Sequence, residues 1–75
     1  MATVTLDVRD TNCPIPVLRA MKTVKEMIPG DVLEISATDD GAPEDFVTFC
    51  ETTGHTLLEN TKAGDGAYLI RIEVI

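Results

Sequence analysis

Cysteine and histidine are scarce: Cys13, Cys50 and His55 are all that this 75-residue chain contains. No second histidine and no acid at ligand spacing accompanies His55, so the pattern of a metal site is missing. Two cysteines also fall short of the disulfide framework of a small secreted domain. No apolar run is long enough to span a bilayer, and no cleavable apolar segment opens the chain, so a soluble, cytoplasmic protein with reduced thiols is expected. Cations are scarce: 6 Lys and Arg stand against 13 Asp and Glu, a formal net charge of −7. Direct nucleic-acid or anionic-membrane binding needs the opposite balance, although a local basic patch is compatible with it. There is no phosphate-cradling glycine loop, cofactor motif, repeat, low-complexity tract or linker. Residues 1–75 therefore read as one domain without a cofactor.

What is present is a regular alternation of elements. Thr3 to Arg9 alternates, with Val4, Leu6 and Val8 on one face, as in a half-buried strand. From Pro14 to Ile28 the apolar residues Val17, Ala20, Met21, Val24, Met27 and Ile28 fall on one stripe at helical spacing. Pro29-Gly30 ends that helix. Asp31 to Thr38 alternates again, with Leu33, Ile35 and Ala37 inward. Pro43-Glu44-Asp45 opens a second helix, whose acids suit the positive end of its dipole and whose inward face holds Phe46, Val47, Phe49 and Cys50. Gly54 is the expected C-cap, and His55 takes a structural role at the helix terminus. Thr56 to Thr61 and Tyr68 to Ile75 supply two more strands around a glycine-containing loop, Tyr68, Ile70, Ile72 and Val74 sharing a face. The order β-α-β-α-β-β predicts an α/β (α+β) two-layer sandwich, a mixed four-stranded sheet with two helices on one face.

The stretch Asn12-Cys13-Pro14-Ile15-Pro16 stands between the first strand and the first helix. Proline is tolerated in a helix first turn, so Pro14 and Pro16 read as N1 and N3 and leave Cys13 accessible at the helix mouth. The dipole there favours an anion, which predicts a thiol pKa moderately below the free value. On the outer side of the same helix lie Arg19 and Lys22, with Lys25 on the flank, three of the chain's six cations. Leu18 falls off the core stripe beside them, as a docking surface would require. The plainer reading is a helix boundary at Cys13, a solvated charged face and a half-covered leucine. Cys50, in the middle of an apolar face, reads as a small core residue.

Cys-Pro-x-Pro between strand and helix, in a chain of this size, resembles the TusA-type sulfur carrier family. Arg19, Lys22-Thr23-Val24, Met27-Ile28-Pro29-Gly30, Asp39-Asp40, Phe49-Cys50, Gly54-His55-x-Leu57 and Tyr68 to Ile72 extend the likeness over essentially the whole chain. Gly41-Ala42-Pro43 departs from it, because family members often place proline directly after the acidic pair. The resemblance implies strand order 1-2-4-3 with the last strand antiparallel to the rest. It also implies that Cys13 carries sulfur as a persulfide. The donor would be a cysteine desulfurase or a rhodanese, and the acceptor a protein of tRNA thiolation, molybdenum cofactor synthesis or sulfur oxidation. Leu18, Arg19, Lys22 and Lys25 would then dock those partners, with no metal, cofactor or small-molecule substrate required. The alternative class is a non-catalytic regulatory interaction module, in which the prolines only fix a helix start.

Overall fold

The computed structural model describes residues 2–75. Its elements are β1 (Thr3–Val8), α1 (Ile15–Val24), β2 (Val32–Ala37), α2 (Ala42–Thr53), β3 (Thr56–Lys62) and β4 (Tyr68–Glu73). The sheet runs β1-β2-β4-β3. β1 and β2 are parallel, with Val8 opposite Ala37, whereas β4 is antiparallel to both β2 and β3. The strand order and direction that the resemblance implied are thus observed.

Alternation along the strands sends Leu6, Val8, Leu33, Ile35, Ala37, Ile70 and Ile72 to one face, where they share a single core with Ala20 of α1 and Ala42, Phe46, Phe49 and Cys50 of α2. Both helices therefore cover the same side of the sheet. Phe46, fully buried, meets Phe49 edge to face at a centroid distance of 6.0 Å. In β3 the register shifts between Leu57 and Glu59, so Leu57 packs on the core while Leu58 faces solvent.

Several expected positions shift for local reasons. α1 stops at Val24, not Ile28, and Lys25 becomes its C-cap. Proline disfavours the helical region for the residue before it, so Ile28 has to leave the helix ahead of Pro29, and the chain tightens into turns closed by Glu26 N to Thr23 O and Met27 N to Val24 O. Asp31, only 7% exposed, then secures the corner by accepting the Ile28 amide at 3.2 Å and the Ala2 amide at 3.0 Å. Those bonds hold its carboxyl below the usual range. Of the expected core stripe, Ala20 is buried and Val17, Val24 and Met27 are packed against the core, but Met21 and Ile28 are exposed. Val47 likewise lies outside.

α2 ends as expected on Gly54, whose φ of 87° and amide bond to Cys50 O mark a left-handed cap. His55 has the expected structural role. Its Nδ1 accepts the Ile75 amide at 3.2 Å, and its ring lies 5.9 Å from that of Phe49.

Candidate functional site

Parallel pairing of β1 and β2 brings the ends of both strands to one edge of the sheet, so the starts of α1 and α2 emerge side by side. The connection after β1 is pinned by Thr11 Oγ1 donating to Val8 O at 2.7 Å and by the Asp10 amide donating to Thr38 Oγ1 at 2.8 Å. Cys13 and Pro14 are the central residues of a turn closed by the Ile15 amide on Asn12 O at 2.9 Å, and the peptide between them is cis. Pro14 is the N-cap and Pro16 the second helical residue, one position out of the expected register. Pro16 is buried and anchors the first turn, while Cys13 stays outside the helix and exposed. The accessible thiol expected from the sequence is therefore present.

A groove of about 370 Å³ opens beside the thiol, between the two helices. Cys13, Pro14, Val17 and Met21 form one wall, and Asp45, Thr48, Phe49, Thr52 and Thr53 the other. Met21 is exposed because it faces this groove instead of the sheet. Asp45 is the groove neighbour of Cys13 that reading the elements one at a time missed, since it was assigned only to a helix first turn. The available signal was topological: two parallel strands, each followed by a helix, put both helix starts at one edge.

Asp45 reverses the expected titration of the thiol. The pull of its carboxylate on the thiol proton, then partial desolvation, then the negative charges of Asp45 and Asp39, push the Cys13 pKa up from its ordinary value. The dipole of α1 was expected to lower it. Pro14 and Pro16 have no amide hydrogen, and the Ile15 amide is already committed to Asn12 O, so of the first three helical amides only that of Val17 is left to a thiolate. Burial alone raises Cys50, which lies in the core as expected.

Leu18, Arg19, Lys22 and Lys25 stand apart from the groove, on the outer side of α1 and its C-cap, and all four are exposed. Leu18 is 55% accessible. Arg19 is partly committed, its Nη1 donating to Asp7 O at 3.3 Å. Among the described residues no group of three His, Cys, Asp or Glu side chains is placed to hold a metal ion. No described helix is long and apolar enough to cross a membrane.

Comparison with known proteins decides the family. The family described as Sulfurtransferase TusA matches residues 4–74. The chain belongs to the TusA family. It is 48% identical over 69 residues to a protein of Neisseria meningitidis serogroup A with a provisional sulfur-carrier name, covering 92% of each chain. It is 46% identical over 59 residues to the sulfur carrier protein TusA of Allochromatium vinosum, covering 79% of this chain and 78% of that one. Among solved structures it is similar to a SirA-like protein of Desulfitobacterium hafniense, with a TM-score of 0.81, 27% identity, and 97% and 96% of the two chains covered. TusA-family membership therefore rests on nearly the full length of the chain, and the fold on an independent structure.

Proposed function

We propose that this TusA-family protein is a sulfur carrier that relays persulfide sulfur on Cys13 between partner proteins. The observation that carries the reading is an exposed thiol at a helix start, in a chain matched almost end to end by a sulfurtransferase family. The Cys13 thiolate attacks the outer sulfur of a donor persulfide, and an acceptor thiol later removes that sulfur. Such exchange needs neither metal nor cofactor, because docking supplies proximity and orientation. A single domain over residues 1–75 is enough for it.

The donor is of the cysteine desulfurase or rhodanese type. The acceptor belongs to tRNA thiolation, molybdenum cofactor synthesis or sulfur oxidation, and the relay operates in the cytoplasm without direct contact with nucleic acid or membrane. Leu18, Arg19, Lys22 and Lys25 form the docking surface for acidic partners on the outer side of α1. Their exposure on one side of α1 supports that role.

The test is intact mass after incubation with a cysteine desulfurase and cysteine, with and without reductant. A reductant-labile gain of about 32 Da per sulfur is expected on wild type and Cys50→Ser but not on Cys13→Ser. An adduct retained by Cys13→Ser would overturn the assignment. Leu18→Asp and Lys22→Glu should slow loading while leaving the thermal melt unchanged.

A further inference from the structure

Three side chains from three segments converge where the helices start. Asp45, half-buried in the first turn of α2, shares the groove with Cys13. Asp39 comes from the loop before α2. A Cβ placed on Gly41 would lie 3.1 Å from Asp39 Oδ2 and 3.7 Å from Asp45 Oδ2, so both carboxylates close around one point. Asp39 Oδ2 accepts the Gly41 amide at 3.2 Å. Among the described residues no cation pairs with the Asp45 carboxylate, which lines the groove across from the Cys13 thiol. Arg19, the first cation after the cysteine in the chain, is directed to Asp7 O instead.

We propose that Asp45 is a positioning residue for sulfur transfer. Its carboxylate keeps the proton on Cys13 and, once sulfur is bound, makes Cys13 a reluctant leaving group, guarding the cargo against small thiols. This rests on the persulfide reading above.

The chemistry follows from where charge appears. In loading, R–S–SH and Cys13–SH become R–SH and Cys13–S–SH: a sulfur–sulfur bond forms at Cys13, the donor's breaks, and the departing donor sulfur takes the proton that Cys13 gave up. Discharge to a thiol R′–SH is the reverse in kind. The attacking sulfur bonds to the outer sulfur, and Cys13 leaves with the electron pair and accepts the proton released by R′–SH. No external oxidant or reductant enters either step. A thiol leaves faster the more stable its thiolate is. Carboxylates beside Cys13 destabilise that thiolate, so discharge is slow while they are uncompensated.

Alkylation of Cys13 by neutral iodoacetamide, followed by peptide mass across pH 6 to 10, reads the proton hold without any sulfur donor. Asp45→Asn is expected to move the rate profile to lower pH and to speed alkylation at pH 7 by about threefold or more. Asp45→Glu should restore the wild-type profile. Glu44→Gln, which removes an equal charge from the same helical turn at an exposed position, should leave it unchanged. An unshifted Asp45→Asn profile, or an equal shift in Glu44→Gln, would overturn the proposal.

The guarding step is read separately, on protein loaded with inorganic polysulfide and discharged with β-mercaptoethanol. Loss of the adduct should be about threefold faster in Asp45→Asn, and equal rates would refute the guard. If no form takes up sulfur the carrier reading and the guard fall together, while the alkylation profile still judges the proton hold.

Discussion

Serine in place of Cys50 puts a hydroxyl where the chain now has a sulfur surrounded by Phe46, Phe49 and the inward strand residues. Cys50 is 7% exposed, so water cannot satisfy the new group. Burying an unpaired hydroxyl costs about 1–3 kcal/mol. A bond back to the Phe46 carbonyl, one helical turn earlier, recovers part of that. The net loss is therefore about 1–2 kcal/mol, against a total stability of about 4–11 kcal/mol for 75 residues. In thermal denaturation followed by circular dichroism this is a fall of roughly 5–15 °C. Cys50→Ala adds no polar atom and should lose less. Cys13→Ser, at an exposed turn, should melt with wild type. A disulfide reagent should label Cys13 of the native protein at once and Cys50 only as fast as the chain opens. The reasoning fails if Cys50→Ser melts with wild type, if alanine is worse than serine, or if both thiols react together.

The same burial gives a pH dependence. Because burial raises Cys50 in the folded state, its contribution is complete below the ordinary thiol value of about 8.5 and declines as pH rises beyond it; urea midpoints that stay flat from pH 8 to 11 would contradict this. Gly54→Ala forces a side chain into φ 87° and within 3.1 Å of Ile75 Cδ1, so it should cost about 1–2 kcal/mol in urea unfolding, and a neutral outcome would dispute the cap. Asp7 accepts Arg9 Nε at 3.0 Å and Nη2 at 2.9 Å, which lowers its pKa to about 2. Carboxyl NMR should show that midpoint in wild type and a return toward about 4 in Arg9→Ala, with whatever stability the exposed pair supplies present above the ordinary Asp value and lost as pH falls toward 2. An unchanged midpoint in Arg9→Ala would refute the pairing.

The elements were legible from spacing, because a strand repeats every two residues and a helix every 3.6, and inward positions such as Leu33, Ile35, Phe46 and Ile70 obey those periods. Boundaries were less so. The α1 stripe continues through Met27 and Ile28, but Pro29 governs the backbone of the residue before it, which an apolar pattern does not register. Met21 fits the α1 stripe equally well, and nothing in a helical wheel says where two helices leave a groove between them.

By itself the sequence determined the order of elements, the inward faces, the exposed Cys13 held outside a helix by Pro14, and the likeness to the sulfur carrier family. Local chemistry suffices for these, since proline geometry and hydrophobic period act within a few residues. Only the tertiary structure decided the character of the thiol. Electrostatics acts through space, and Cys13 and Asp45, far apart in the chain, meet because β1 and β2 run parallel and deliver both helix starts to one edge. The dipole expected to favour a thiolate is answered there by carboxylates from another element.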